Sequence, residues 1–141
     1  MKQSELFTER VDALKKYFLL FVFLMILLLS ACQLKEILFV GEGENWTAEV
    51  TVNQTKGDET YQIQLNYKGN NVAEIETFSY YVDTIKNGIV EFGTNEAALD
   101  GKGVYHNRAY SSNSPSTRKD AQLVIKVEWN DKSETFNLKS E

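Results

Sequence analysis

Over most of this chain, from residue 45 to the C-terminus, apolar and polar side chains alternate one by one. Every second residue is apolar from Trp46 to Val52, and the same period recurs in residues 61–67 and 122–129. Successive side chains of a β-strand point to opposite faces of the sheet, so this period predicts strands that bury one face. The alternation therefore predicts an all-β domain.

Turn-forming residues separate the alternating segments at short intervals. Lys86-Asn87-Gly88 contains the Asn-Gly pair typical of tight hairpins, and Asn130-Asp131-Lys132 separates the last two strands, which form the clearest hairpin in the sequence. Less regular alternation predicts further strands at about 75–82, 89–92 and 104–110. The chain thus reads as a series of short, antiparallel strands.

About seven strands in roughly 100 residues favour a β-sandwich like those of immunoglobulin and fibronectin type III domains. A small β-barrel would give the same alternation and is the alternative. Residues 95–99, within a less regular stretch, are expected to form one helical turn. Cys32 is the only cysteine, so the disulfide of antibody domains is impossible and the resemblance concerns architecture only.

A different pattern precedes this domain. Residues 17–29 are 13 consecutive apolar or aromatic positions, preceded by Lys15 and Lys16. A membrane-spanning helix needs about 20 apolar residues, so the run is short for a permanent anchor. A basic segment followed by an apolar run of this length is the layout of a secretory signal peptide.

The end of the apolar run adds a motif. Leu29-Ser30-Ala31-Cys32 resembles the lipobox of bacterial lipoproteins. The resemblance implies that a diacylglyceryl group is attached to the Cys32 thiol and that a signal peptidase cuts between Ala31 and Cys32. Two acyl chains anchor a protein stably, whereas one chain binds only marginally. The mature protein is therefore expected on the outer face of the cell membrane. The long, partly acidic segment before the apolar run departs from typical leaders.

These features divide the chain into three parts. Residues 1–31 are expected to be the signal peptide, residues 32–44 the lipidated N-terminus and a tether, and residues 45–141 the β-domain. The apolar run 37–40 is expected either to dock as a first strand or to lie against the membrane. Gly41-Glu42-x-Glu44-Asn45-Trp46 is similar to the start of the mature domain in small surface lipoproteins of Gram-positive bacteria, and this resemblance implies no particular activity.

Charge limits the partners of the mature chain. Residues 32–141 hold 11 basic and 17 acidic residues, a formal net charge of −6. An acidic domain repels the phosphates of nucleic acids, which makes nucleic acid an unfavourable partner.

Motifs for catalysis or metal binding are missing from the sequence. His106 is the only histidine, and a surface or edge position explains it better than a metal or catalytic site. The paired carboxylates Asp58-Glu59 and Glu74-x-Glu76 are expected to be solvated charges. The sequence therefore indicates no enzyme, no metal and no cofactor.

Aromatic residues are more informative about binding. Tyr81, Tyr105 and Tyr110 fit the inward phase less well than the other aromatics, so they are candidates for contact with a saccharide or peptide ligand. The leading hypothesis is a lipid-anchored binding module at the cell surface. The alternative is a structural or accessory subunit of a cell-envelope complex.

Overall fold

The computed structural model describes residues 2–29 and 35–141. A single helix, α1, spans Lys2–Leu29 and forms a unit separate from the β-domain. The apolar side chains between Tyr17 and Met25 are exposed on it. Within the described residues, no helix combines the length and the apolar character that crossing a membrane requires. Ala31 and Cys32, the expected cleavage and lipidation sites, lie outside the described residues.

The β-domain contains eight antiparallel strands among its described residues. They are β1 (Lys35–Glu42), β2 (Trp46–Gln54), β3 (Glu59–Tyr67), β4 (Phe78–Lys86), β5 (Glu91–Ala97), β6 (Val104–Ser112), β7 (Gln122–Trp129) and β8 (Lys132–Ser140). Their order in the sheet is β5-β4-β7-β8-β1-β2-β3-β6. The all-β prediction is confirmed.

Alternation decides which face of each strand is buried, as the sequence predicts. In β2, Trp46, Ala48, Val50 and Val52 are buried while the residues between them are partly or fully exposed. Strands β3, β7 and β8 repeat the pattern. Each fully buried aliphatic or aromatic side chain contributes about 1.5–3 kcal/mol of hydrophobic stabilisation. The inward faces of all eight strands therefore form one core.

The sheet curls into a barrel-like sandwich that is closed by side chains. The outermost strands, β5 and β6, form no ladder with each other among the described residues. Instead the rings of Tyr110 on β6 and Phe92 on β5 stack with centroids 4.9 Å apart. The Tyr110 hydroxyl also donates a hydrogen bond of 2.7 Å to the carbonyl oxygen of Gly93. Aromatic packing thus takes the place of a ladder between the two edges.

Strand β1 lies within residues 32–44, which were expected to form the lipidated N-terminus and a tether. Residues 37–40 belong to β1, which pairs with β2 along its whole length and with β8 through Phe39 and Val40. The docking alternative is therefore the one observed, and the domain includes residues placed before its expected start at residue 45. The strand count is accordingly eight and not about seven.

Two local predictions are wrong. Residues 95–97 continue β5 and do not form a helical turn, because Phe78 on β4 pairs with Ala97. The third predicted strand begins at Phe78 and not near residue 75, since a short 3-10 helix occupies Val72–Glu74. In both places pairing with a distant strand or a tight turn outweighs local alternation.

The last hairpin is confirmed, but its turn is shorter than the predicted Asn130-Asp131-Lys132, because Lys132 already belongs to β8. Asn130 and Asp131 form its two-residue turn with φ values of 45° and 59°. Two consecutive positive φ values characterise the type I′ turn, whose twist matches that of the flanking strands.

The connecting segments of the domain lie at two opposite ends, a proximal end and a distal end. The proximal end contains the start of β1, the connecting segments 55–58, 87–90 and 113–121, and the C-terminus of β8. The distal end contains the connecting segments 43–45, 68–77, 98–103 and 130–131.

Candidate functional site

Tyr81 presents an exposed aromatic ring on the outer face of the β5-β4-β7 sheet. Its side chain is 44% exposed, and its hydroxyl donates a hydrogen bond to the Glu91 carboxylate. This hydrogen bond, with smaller contributions from burial and from the negative charges of Glu91 and Asp83, raises the pKa of Tyr81 to about 12. The phenol therefore stays protonated, and its hydrogen bond to Glu91 fixes the position of the ring.

Two adjoining depressions run along the sheet beside this ring. One, with a volume of about 280 Å³, is lined by Tyr81 and Thr94 among others, and the other, of about 500 Å³, extends to the turn at 130–131 at the distal end. Both are lined by Ser79, Asn95 and Glu128. We call the combined depression, defined by these residues and Tyr81, the Tyr81 cleft.

The register of the strands explains why polar groups meet in the Tyr81 cleft. Ser79 on β4 lies opposite Glu128 on β7, and Tyr81 lies opposite Lys126. Residues two apart on a strand share a face, so all four side chains point outward. The Lys126 ammonium and the Glu128 carboxylate form an ion pair of 2.7 Å, and both side chains are about half exposed. The cleft thus offers a hydroxyl, a carboxylate and an aromatic ring, and Lys126 forms its ion pair with that carboxylate beside the cleft.

Gly93 makes the close approach of β5 to Tyr81 possible. A Cβ atom at this position would lie 2.3 Å from the carbonyl oxygen of Tyr80 and 2.9 Å from the Cα atom of Tyr81. The register between β4 and β5 shifts between Phe78 and Tyr80, which indicates a bulge beside this contact. Any larger residue here would push β5 away from the cleft.

A rigid layer of aromatic residues supports the distal part of the cleft. Phe78 and Trp129 line it and are otherwise buried. The Trp46 ring packs between them, with centroid distances of 4.9 Å to Phe78 and 5.5 Å to Trp129. Such pairs add about 0.5–1.5 kcal/mol each beyond the area that they bury. The floor of the cleft is therefore preformed.

The three tyrosines predicted as ligand contacts do not form one patch. Tyr81 faces outward, but Tyr105 and Tyr110 are half-buried and pack on the core from β6. The Tyr105 ring lies 5.5 Å from Phe78 and 5.6 Å from Tyr80 between centroids. Both β6 tyrosines close the sandwich, and this role explains their partial burial without a ligand.

His106 lies in a second, smaller groove on the outer face of the sheet, where β2, β3 and β6 are neighbours. The groove has a volume of about 260 Å³, and Glu49, Gln64 and His106 stand opposite one another on β2, β3 and β6 along it. His106 is exposed, as expected for a surface residue. Among the side chains that the structure describes, no group of three or more His, Cys, Asp and Glu residues could hold a metal ion.

The paired carboxylates have different surroundings. Glu74 ends the 3-10 helix and Glu76 follows it in a loop, and both are exposed, as expected of solvated charges. Glu59, by contrast, has 0% exposure, so the expectation of a solvated charge is wrong for it. The sequence does carry the relevant signal, since residue 59 shares the inward phase of Tyr61 and Ile63.

Glu59 is buried because five hydrogen-bond donors surround its carboxylate. Oε2 accepts hydrogen bonds from the Gln54 side-chain amide at 2.5 Å and from the backbone amides of Ser116 and Thr117 at 3.1 and 3.0 Å. Oε1 accepts hydrogen bonds from the hydroxyls of Tyr61 and Thr117. The carboxylate thereby fixes the loop at 113–117, which is far away in sequence, to the start of β3.

These hydrogen bonds also set the acidity of Glu59. Burial by itself would raise the pKa of this carboxyl group. The hydrogen bonds from Thr117, Tyr61 and Gln54 outweigh burial and hold the pKa below its ordinary value. Glu59 is therefore an ionised structural group at the proximal end and lies apart from the Tyr81 cleft.

A scan against protein-family models, a search of curated proteins and a search of solved structures found no match for this chain. Function has to be inferred from the geometry of the described residues and from the sequence.

Proposed function

We propose that this chain is the precursor of a lipid-anchored binding module that is held on the outer face of the cell membrane through Cys32. The observation that carries the binding function is the Tyr81 cleft, an exposed aromatic ring beside a row of polar side chains on a preformed floor. We propose that the cleft binds a polar ligand and catalyses no reaction. The only histidine lines the other groove. The Tyr81 hydroxyl bonds to the Glu91 carboxylate, but its pKa is raised, whereas an activated nucleophile has a lowered pKa or an adjacent base of higher basicity.

The leader supports the anchoring part of this proposal. The apolar side chains of α1 between Tyr17 and Met25 are exposed, and none of them is buried by the side chains that the structure describes. Exposed apolar surface of that extent is unstable in water and favours a membrane environment. The lipobox-like residues 29–32 follow at the position where export and acylation would use them.

The position of the cleft on a sheet face favours an oligosaccharide over an extended peptide. The backbone groups of β4 pair with β5 on one side and with β7 on the other. A peptide that adds to a sheet needs the free backbone groups of an edge strand, and the floor of the Tyr81 cleft offers none. A ligand here must be recognised by side chains. Sugar hydroxyls can bond to Ser79, Asn95 and Glu128 while the apolar face of a sugar ring packs on Tyr81.

Intact-mass analysis of the membrane-extracted protein tests the anchor. The proposal expects a chain that begins at Cys32 and carries the added mass of a diacylglyceryl group. The matched Cys32→Ala chain should keep residues 1–31 and carry no lipid. A wild-type chain that begins at Met1 without lipid would contradict the anchoring proposal.

An array of immobilised neutral and N-acetylated oligosaccharides tests the cleft. The full-length protein in detergent is expected to bind a subset of the array, Tyr81→Ala to lose that binding and Tyr81→Phe to keep most of it. Gln62→Ala, in the second groove, is the control and should bind like the wild type. Binding that survives Tyr81→Ala but not Gln62→Ala would move the site to the second groove. A stoichiometric protein partner covering Tyr81 would instead favour the accessory-subunit alternative.

A further inference from the structure

The β4–β5 hairpin exposes two large aliphatic side chains at the proximal end. Ile85 is 57% exposed and Ile89 is 73% exposed. Apart from Tyr81, they are the only large hydrophobic side chains of the described β-domain that are exposed to this degree. They flank the tip of a single hairpin, so they form one protruding apolar feature and not scattered surface residues.

The hairpin tip is held in a fixed shape. The Thr84 hydroxyl accepts a hydrogen bond of 2.8 Å from the amide of Val90 and donates one of 3.0 Å to its carbonyl oxygen. These two bonds close the base of the segment 85–89. The two isoleucines therefore project from a fixed base. A mobile loop could instead fold them back onto the core.

Hydrogen bonds connect this tip to the part of the domain nearest the N-terminus. The Asn87 side-chain amide donates a 3.1 Å hydrogen bond to the Asp120 carboxylate in the loop 113–121. The Ser140 hydroxyl donates a 2.5 Å bond to the carbonyl oxygen of Lys119, and the amide of Glu141 bonds to Leu38 on β1 at 3.1 Å. Hairpin tip, loop, C-terminus and β1 thus form one continuous surface.

Charge is distributed unevenly between the two ends of the domain. The distal connecting segments hold two basic and five acidic residues: Lys68, Lys102, Glu44, Glu74, Glu76, Asp100 and Asp131. The proximal connecting segments hold three basic and two acidic residues: Lys56, Arg118, Lys119, Asp58 and Asp120. At the adjacent strand ends, the basic residues Lys35 and Lys86 face four acidic residues, which are Glu36, Glu91, Glu141 and the buried Glu59. The proximal end is therefore close to neutral, with five basic and six acidic residues, whereas the distal connecting segments carry a formal net charge of −3.

The length of chain before β1 brings the proximal end close to any anchor on Cys32. Only Gln33 and Leu34 separate Cys32 from Lys35, the first residue of β1. Three extended residues span at most about 11 Å. A lipid on Cys32 would therefore hold the start of β1 within about 11 Å of the acylated residue.

From these observations we propose that the proximal end is a membrane-contacting surface: Ile85 and Ile89 insert among the lipid headgroups, and Lys86 and Lys119 contact anionic lipids. This inference rests on the proposed function only in that the chain must be attached to a membrane. It gives the domain an orientation in which the distal end, with the outer part of the Tyr81 cleft, points away from the bilayer.

Fluorescence quenching by brominated lipids tests the orientation. Ile89→Trp in the full-length chain, reconstituted into vesicles of phosphatidylcholine and phosphatidylglycerol, places a reporter at the proximal tip. Lys102→Trp is the matched control, because residue 102 is exposed in a distal turn. The native Trp46 and Trp129 are buried and give the same background in both chains. The proposal expects brominated lipid to cause a loss of emission for Ile89→Trp and none beyond the background for Lys102→Trp.

A charge variant measures how much the contact of the two lysines with anionic lipids contributes to membrane binding at the proximal end. Lys86→Glu with Lys119→Glu, added to the Ile89→Trp chain, should lessen quenching on anionic vesicles and change it less on vesicles of phosphatidylcholine alone. Quenching that is equal at both reporters, or larger at residue 102, would overturn the proposed orientation. So would an absence of quenching at either reporter in a chain that sediments with the vesicles, because the proximal end would then face a protein or solvent.

Failure of the anchoring proposal is distinguishable from failure of this one. Intact mass reports whether Cys32 carries lipid, and quenching reports which end of the domain contacts the bilayer. A Cys32→Ala chain still carries the apolar segment 17–29 that would associate it with vesicles, so the same two reporters measure its orientation. Proximal quenching in both chains would support the surface even if acylation were disproved.

Discussion

Replacement of Glu59 provides the sharpest test of how this domain holds together, because the two carboxylate oxygens have different kinds of partners. Oε1 accepts hydrogen bonds from two hydroxyls, those of Tyr61 and Thr117, and hydroxyls can rotate to accept a bond instead. Oε2 accepts only N–H groups, from Gln54, Ser116 and Thr117, which cannot reverse their role. The geometry therefore predicts different costs for different substitutions.

Glu59→Gln should be the milder change. Its carbonyl oxygen can occupy the Oε2 position while its amide donates to the rotated hydroxyls. The loss of charge assistance then lowers the free energy of unfolding by about 1–2 kcal/mol. Glu59→Ala leaves the buried amides of Ser116 and Thr117 without an acceptor. At about 1–3 kcal/mol for each of these two orphaned groups, the expected loss is about 2–6 kcal/mol.

Urea unfolding followed by tryptophan fluorescence measures these losses, since Trp46 and Trp129 both lie in the core. Asp58→Asn, a change at the neighbouring exposed carboxylate, is the control and should stay within about 0.5 kcal/mol of the wild type. The reasoning is refuted if Glu59→Ala is no more destabilising than Asp58→Asn, or if Glu59→Gln costs as much as Glu59→Ala.

The same residue predicts a dependence on pH. The folded-state pKa of Glu59 lies below its ordinary value of 4.5, so its ionised form stabilises the fold. This contribution is fully present above pH 4.5 and is lost as the pH falls through the lower folded-state pKa. The difference in unfolding free energy between the wild type and Glu59→Gln should therefore shrink as the pH falls below 4.5.

Three further predictions concern the cleft and the last hairpin. Gly93→Ala should lower the free energy of unfolding by more than about 1 kcal/mol, measured by urea unfolding, because its Cβ atom would lie 2.3 Å from the Tyr80 carbonyl oxygen; unchanged stability would contradict the close approach of β5. Ultraviolet titration should show the pKa of Tyr81 near 12, and Glu91→Gln should bring it back towards the ordinary 10.0; an unchanged value would exclude Glu91 as the cause. Asp131→Val should lower the unfolding free energy by about 1–2 kcal/mol, because a β-branched residue resists the positive φ of 59°, whereas Asp131→Gly should not, and thermal unfolding compares the two.

The candidate site was only partly predictable from the sequence. Tyr81 could be selected because it falls out of the inward phase, and it does face outward in the cleft. Tyr105 and Tyr110 were selected on the same ground, but β6 lies at an edge, and closing the sandwich draws both rings onto the core. A strand's own alternation cannot reveal whether a second edge lies across from it.

The burial of the Glu59 charge also depends on residues that are distant in sequence. Glu59 has the inward phase of β3, yet a carboxylate is stable there only because the amides of Ser116 and Thr117 surround it. Those residues lie 57 and 58 positions further along the chain. No local pattern around residue 59 contains that information.

The sequence alone was enough to predict the all-β class, the inward face of most strands and the position of the last hairpin. Each of these depends on the side-chain period or on the φ values of neighbouring residues, which are local properties. The folded structure was needed to show that β1 lies between β2 and β8, that β5 and β6 meet through aromatic rings, and that Ile85 and Ile89 share one end with the start of β1. Strand order depends on which distant strands can bury their apolar faces together, and that balance is a property of the whole chain.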